Sequence, residues 1–408
     1  MKPIRSIFTA LLALVLFGGV SRAADISAND IANANNAFAF DLYAKLSGQT
    51  GNLFFSPYSV ETVLAMTYAG ARGNTATQMA AVLHLPSGDV SAGFANLVGS
   101  IQSDGKASPG LQLNIANSLW AQKGLPFQNT FTNTVRNQFD AYINQVDFKT
   151  AAEAARQQIN VWVAQQTINK ITNLIPEGGI SSDTRLVLAN AVYFKAQWDQ
   201  PFDKSATNQQ LFHLGASQAE LVPMMHEEHE FYYADTADLQ MLELPYAGGK
   251  FSMIVLLPKK IDGLAGLEKS VNQTLLKQLM TQSVGSIATD VAVSLPKFTL
   301  TTATMDLTDQ LQQLGMTDAF SPDAADFQGI AGPDEKLVIS ALFHKAYVSV
   351  DEEGTVAAAA SATVMLGETA EEQPPPIEFT ADHPFLFLIQ DNDTGAILFL
   401  GRMEDPNE

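Results

Sequence analysis

The densest run of chemistry-bearing side chains in the chain is His226-Glu227-Glu228-His229-Glu230. Two imidazoles among carboxylates could ligate zinc and supply a general base, but the helical zinc motif needs histidines four apart so that both share one face. Here they stand three apart, and Pro223 before them and Phe231-Tyr232-Tyr233 after them predict a strand or loop. The segment therefore reads as a solvated polar stretch. Asp391 and Asp393 ahead of Gly395 imitate the start of a calcium loop, yet no glutamate follows at the distance that completes such a loop, so Asp391 to Gly395 reads as a hairpin turn. An activated serine would sit in a Gly-x-Ser-x-Gly elbow, and none occurs; nor does a phosphate loop or a dinucleotide fingerprint. With six histidines and no cysteine, the chain offers no catalytic constellation, no thiolate metal site and no cofactor site. We expect no enzyme activity, no metal and no cofactor.

The elements around these residues predict a large fold of the α+β class. At 46% hydrophobic and 9% aromatic, the 408 residues can bury a sizeable core. Ser56-Pro57-Tyr58-Ser59 looks like a helix start, with a hydroxyl placed to cap and proline at the first helical position, and Val60, Val63, Leu64 and Thr67 follow at helical spacing. A second one-sided helix runs through Ala155, Ile159, Trp162 and Val163 toward Ile171. Beyond residue 180 the character changes to strands: Val187 to Phe194, Phe251 to Leu257 and Val291 to Leu300, with Leu386 to Ile389 pairing Ile397 to Leu400. Helices early and strands late, without a linker between residues 30 and 365, predict one domain over 24–408.

Residues 1–23 read as an export signal: Lys2 and Arg5, the apolar run Ile7 to Phe17, then small residues up to cleavage after Ala23. The run falls short of the roughly 20 residues a membrane span requires. Export without cysteine means that packing alone holds the protein together, which suits a periplasm or an external medium. A formal net charge of −20 argues against nucleic acid or an anionic membrane as partner.

One stretch breaks the pattern. Asp351-Glu352-Glu353-Gly354-Thr355-Val356 leads into Ala357, Ala358, Ala359 and Ala360, then Ser361 to Met365, Leu366-Gly367-Glu368-Thr369 and a polar run ending Pro374-Pro375-Pro376. Charged ends, a small-residue middle and a proline stop describe a long exposed loop over about 352–376. Composition alone would equally allow an alanine-rich linker or a short helix. Position argues against the linker, because Ile377 to Arg402 is too short to be a domain and must join the sheet before the loop.

Six segments in order resemble the serpin family over nearly the whole mature chain, as an exported bacterial member would. They are Asn52 to Ser59, Leu188 to Trp198, Val222 to Met225, Leu295 to Phe298, Asp351 to Ala360, and Phe379 to Phe387 with Gly401-Arg402. The resemblance implies three β-sheets, about nine helices and an exposed reactive-centre loop in a metastable native state. It implies a suicide-substrate inhibitor of serine, or cysteine, proteinases. The target would be trapped as an acyl-enzyme in a covalent 1:1 complex with a monomer, when the cut loop inserts into the central sheet. The alternative is a noninhibitory serpin acting as carrier or chaperone.

The same resemblance assigns a hinge to Glu352, Glu353, Gly354, Thr355 and Ala357 to Ala360. Because successive strand residues face opposite sides, Thr355, Ala357, Ala359, Ser361, Thr363 and Met365 would enter the interior, and the first five are small and uncharged. Ser56, Ser59, Asn190 and His344 match the shutter beneath the central sheet, and Trp198 and Lys297 match the breach above it. Fourteen residues onward from Gly354 lies the reactive bond, Glu368-Thr369, while counting back from Pro384 keeps Met365 and Leu366 as alternatives. Members controlled by polyanions carry a basic helix; Leu111 to Phe139 contains only Lys123 and Arg136, so no heparin-like cofactor is expected.

Overall fold

The structure, a computed structural model, describes residues 25–284, 288–354 and 375–408. The helices are α1 (Ala28–Leu46), α2 (Pro57–Tyr68), α3 (Gly73–Val82), α4 (Val90–Ala107), α5 (Asn129–Gln138), α6 (Phe148–Gln166), α7 (Leu264–Ser270), α8 (Gln273–Val284), α9 (Thr308–Leu314) and α10 (Gln328–Ala331). Ten among the described residues exceed the expected nine by the four-residue α10. The strands are β1 (Leu53–Phe55), β2 (Gln112–Gln122), β3 (Tyr142–Val146), β4 (Leu186–Lys195), β5 (Asn208–Gly215), β6 (Gln218–Asp235), β7 (Leu239–Pro245), β8 (Phe251–Pro258), β9 (Thr289–Pro296), β10 (Phe298–Thr301), β11 (Met305–Asp306), β12 (Ile339–Val350), β13 (Ile377–Thr380), β14 (Phe385–Asp391) and β15 (Ile397–Met403).

Helix starts follow local chemistry. Ser27 caps α1 through a reciprocal box with Asp30, and Ser56 Oγ accepts from Ser59 N–H (3.2 Å) to open α2, with Pro57 supplying the preset φ of the first position. Asp147 does the same for α6 through Thr150 N–H (3.0 Å). Among the described residues no helix is long and apolar enough to cross a membrane.

The strands form three sheets, two of which share β6. The central sheet has the order β10-β12-β4-β2-β3, with β11 also against β12. The 18-residue β6 pairs with β9 along residues 224–231 and with β7 along 232–235, so one strand serves a small sheet with β5, β9 and β13 and a larger one continuing through β7, β8, β14, β15 and β1. Two sequence expectations need correction. The run Val291 to Leu300 is not one strand: it breaks at Lys297 into β9 and β10, which belong to different sheets. Pro296 has no N–H to offer a ladder, Lys297 N–H makes the last β6–β9 bond to Pro223 O (2.9 Å), and from Phe298 onward the chain pairs with β12. Strands are also not confined to the region beyond residue 180, since β1, β2 and β3 precede it.

Leu111 to Phe139, the segment scanned for a basic helix, is mostly β2 followed by the short α5. The helix before it, α4, carries Lys106 as its single basic residue.

Alternation along the central strands divides the interior in two. Leu119, Leu188, Val192, Leu342 and Ala346 face the main core over α2, whereas Ala116, Trp120, Val187, Ala189 and Phe343 face a smaller core beneath α6. Each fully buried large side chain contributes about 1.5–3 kcal/mol, so the main core, from Ile26 to Met403, dominates stability.

Candidate functional site

β4 and β12 are neighbours in the central sheet and run parallel, from the pair Ile339 and Leu186 to the pair Tyr347 and Tyr193. β2–β4 and β10–β12 are antiparallel, and the other parallel pair, β2–β3, involves the edge strand β3, so β4–β12 is the parallel boundary between two interior strands. Parallel ladders are slightly weaker per residue, so the β4–β12 boundary is the weaker seam of the sheet interior.

Register places a row of polar side chains straight across that seam. His344 lies opposite Asn190, and Asn190 lies opposite Asn117 of β2. All face α2, whose first turn supplies Ser56 and Ser59. Ser56 N–H donates to His344 Nε2 (3.1 Å), which makes Nε2 the acceptor and leaves the proton on Nδ1, donating to Asn190 Oδ1. Asn190 Nδ2 donates to Ser59 Oγ and to Asn117 Oδ1, and Ser59 Oγ donates to Asn117 Oδ1 (2.9 Å). Every member is buried. Burial pushes the His344 imidazole down to about 3, so the ring is neutral at ordinary pH. The network is satisfied by hydrogen bonds that strands can exchange, whereas apolar packing would simply be lost on parting.

At the upper end of the seam the chain leaves β12 and makes a tight turn, Asp351 to Gly354, pinned to residues 196–202. Trp198 N–H donates to Glu353 O (3.1 Å), Phe202 N–H to Glu352 O (2.8 Å), and Trp198 Nε1 to Asp351 O (2.9 Å). Trp198 itself stacks on Tyr246, centroids 4.6 Å apart. Gly354 adopts φ +104°, and a Cβ there would stand 2.4 Å from Trp198 N and 2.6 Å from Ala196 O. Only glycine fits. Two lysines hold the turn's carboxylates: Lys297 Nζ meets Glu352 Oε2 (2.7 Å), and Lys204 pairs with Glu353. Thr207 Oγ1 also donates to Glu352 (2.8 Å). Burial works to raise the Glu352 carboxyl, but the bonds from Lys297 and Thr207 outweigh it and hold the group below its usual range.

A family model described as serpin (serine protease inhibitor) matches residues 33–406. The chain belongs to the serpin family. An uncharacterized serpin-like protein of Thermococcus kodakarensis is 42% identical over 93% of this serpin and 86% of its own length. A leukocyte elastase inhibitor of Xenopus tropicalis is 39% identical over 92% of this chain and 100% of that one. A structure of an Arabidopsis serpin in the native stressed conformation aligns with a TM-score of 0.80 at 32% identity, covering 94% and 100% of the two chains. Serpins bind target proteinases and are not themselves enzymes.

The structure brings Ser56, Ser59, Asn190 and His344 into one network and gathers Trp198, Lys297, Glu352, Glu353 and Gly354 at the turn above it. The remaining hinge positions Thr355 and Ala357 to Ala360, and Met365, Leu366, Glu368 and Thr369, lie outside the described residues, as does the segment 1–23. Sequence reasoning missed Asn117, Lys204 and Thr207. Asn117 had a signal: it interrupts Leu113, Ile115, Leu119 and Ala121 on one alternating face. Lys204 and Thr207 had none, because only the fold carries them to residues 352 and 353. In the two segments first weighed for metal, His226 and His229 lie three apart on β6 and so on opposite faces. His226 is engaged with Gln210 (3.0 Å) and Ser294 (2.9 Å). Asp391 receives Thr394 N–H (3.0 Å) inside the β14–β15 turn.

Proposed function

We propose that this serpin is a suicide-substrate inhibitor of serine proteinases, trapping its target as a covalent 1:1 acyl-enzyme when residues following Gly354, once cut, insert between β4 and β12. The observation that carries this reading is the parallel seam. A strand that continues from β12 by turning back at Asp351–Gly354 runs antiparallel to both β12 and β4. Insertion therefore exchanges one parallel boundary for two antiparallel ones and adds a full set of ladder bonds. The small uncharged series Thr355, Ala357, Ala359, Ser361 and Thr363 favours the inhibitory reading over a carrier or chaperone role, since it leaves no charge to bury.

Glu368-Thr369 is the proposed reactive bond, and a glutamate before the cut fits a proteinase whose primary pocket accepts an acid; Met365 or Leu366 would fit a subtilisin-, chymotrypsin- or elastase-like one. Residues 1–23 are proposed as an export signal of a bacterial protein acting as a monomer in the periplasm or medium. Lys106 as the lone base of α4 supports independence from a heparin-like cofactor.

The test is incubation with a proteinase panel followed by a denaturing gel and mass spectrometry. A band at the summed mass, with the cut after Glu368, supports the proposal. Cleavage of the serpin by every proteinase with full recovery of enzyme activity, and no covalent band, overturns it.

A further inference from the structure

The turn that closes the β14–β15 hairpin is fastened to the end of α4 by side chains for which the proposed trap has no use. Asp391, the last residue of β14, is fully buried. Its Oδ2 accepts Thr394 N–H (3.0 Å) and the Thr394 hydroxyl, but its Oδ1 has no donor among the described residues. Within hydrogen-bonding reach of Asp391 lies a second buried carboxyl, Asp104 of α4. Asp104 itself has only long contacts, Ser100 Oγ at 3.5 Å and Lys250 Nζ at 3.4 Å. Lys250 sits closer to Asp393 (2.6 Å), so it leaves the buried oxygen without a donor.

The other neighbours bring no positive charge. On α2, Tyr58 is kept neutral by burial and then by the nearby charge of Asp391, and Glu61, one turn further on, is buried without a partner and uncharged. Asp140, beyond α5, adds negative field at Tyr58. From β7, Glu243 reaches the turn only through Ser252, whose Oγ donates to it (2.8 Å) and accepts Asn392 Nδ2 (2.8 Å), and burial raises that carboxyl too. From α1 comes a neutral group, Asn36 Nδ2 on Gly395 O (2.7 Å). Two carboxylates in contact resist joint ionisation away from water, and a buried acceptor needs a donor. One proton meets both conditions.

We propose that Asp391 and Asp104 share a single proton, and that this carboxyl-to-carboxylate bond is a pH-released clasp between the β14–β15 turn and the end of α4. Burial, with the Asp104 charge adding to it, lifts the Asp391 carboxyl to about 6 against the pull of the Thr394 bonds, and the titration belongs to the pair. Because the folded-state value is raised, the clasp contributes fully below the ordinary carboxylate value of about 3.9 and is lost as pH rises through about 6. Above that, two adjacent anions push the last turn of α4 away from the sheet, while the β14–β15 ladder stays paired. No step requires strand insertion, so the clasp stands apart from the inhibitor reading.

The test is hydrogen exchange of the full chain at about pH 5 and about pH 8, corrected for intrinsic rates and read at the α4 amides Ser103 to Ala107. Their protection should fall about tenfold or more at the higher pH, while the amides of β15 keep theirs. His344 loses its contribution in the opposite direction, as pH falls, so it cannot produce this change. Asp391→Asn gives Asp104 a permanent amide donor and leaves an oxygen for Thr394, and should keep α4 protected at both values. Equal protection of wild type at the two pH values, or a loss that persists in Asp391→Asn, overturns the proposal. Should Asp391→Asn fail to fold, Asp104→Asn, which offers the amide from the other side, decides by the same readout. Carbon-13 titration of the aspartate carboxyls gives an independent reading. One signal that disappears in the asparagine variant should titrate well above the ordinary range, and complete ionisation of every aspartate by about pH 5 would also overturn the shared proton.

Discussion

His344 and Asn190 face each other across the parallel β4–β12 boundary of the central sheet, and the imidazole Nδ1–H donates to the asparagine Oδ1. The ring nitrogen on its other side, Nε2, already accepts Ser56 N–H. A second proton on the ring would meet a donor instead of an acceptor, in a site without water-exposed surface.

This sets a pH dependence with a definite sign. The folded-state value near 3 lies below the ordinary histidine value of about 6.5, so the unfolded or opened state binds the proton more readily. The contribution of His344 is fully present above about pH 6.5 and is lost progressively as pH falls toward 3. Melting temperature against pH, wild type minus His344→Gln, should decline over that window; a flat difference curve would show that the ring is not what acid attacks.

Gly354→Ala is expected to open the hinge turn. The added Cβ falls 2.4 Å from a backbone nitrogen that cannot retreat without breaking the Trp198–Glu353 bond, on a backbone whose φ of +104° alanine resists. Hydrogen exchange at the Trp198 amide should accelerate by roughly tenfold, a loss on the order of 1.4 kcal/mol of local stability. Unchanged protection would mean that the turn is held by something other than this close approach.

Lys297→Ala leaves the Glu352 carboxylate buried with Thr207 as its remaining side-chain partner. Because the lysine side chain is 35% exposed, screening reduces the effect, and we expect a loss of about 1–2 kcal/mol rather than the larger cost of a fully buried pair. Lys204→Ala, whose lysine is 63% exposed, should cost less. Urea unfolding of both variants decides the ranking, and the reverse order would mean that Glu353, not Glu352, anchors the turn.

Thr355→Arg separates inhibition from recognition. An unpaired guanidinium forced into the sheet interior costs at least about 3 kcal/mol, so insertion should lag behind deacylation while the bait bond is still cut. On a denaturing gel the variant should run as cleaved serpin beside active proteinase. Stoichiometric trapping by Thr355→Arg refutes strand insertion.

Much of this arrangement was legible because local chemistry and family motif coincide. Ser56-Pro57 announces a helix start by itself, and its serines then enter the network through the fold. Pro296 was visible inside Val291 to Leu300, but the alternation of Val291, Val293 and Leu295 ahead of it outweighed it, and the change of sheet at Lys297 is a tertiary event. Glycine at 354 was placed in the hinge by resemblance alone. The close approach of residues 196–198 shows a steric requirement that no neighbour in sequence reports. Lys204 lies 149 residues from Glu353, beyond any periodicity argument.

The short strand β13 gives the proposed trap its trigger. It pairs parallel with β9 from Ile377 to Thr380, while the turn at Gly354 is bolted to Trp198, so the segment between them is moored at both ends. A rope fixed at two posts cannot be drawn lengthwise into a slot that opens beside one of them. Severing the proposed link far from the Gly354 post, at Glu368-Thr369, would free a length that can enter. The molecule therefore needs no sensor for its target: a single peptide bond is the catch, and the proteinase's own chemistry is the hand that releases it.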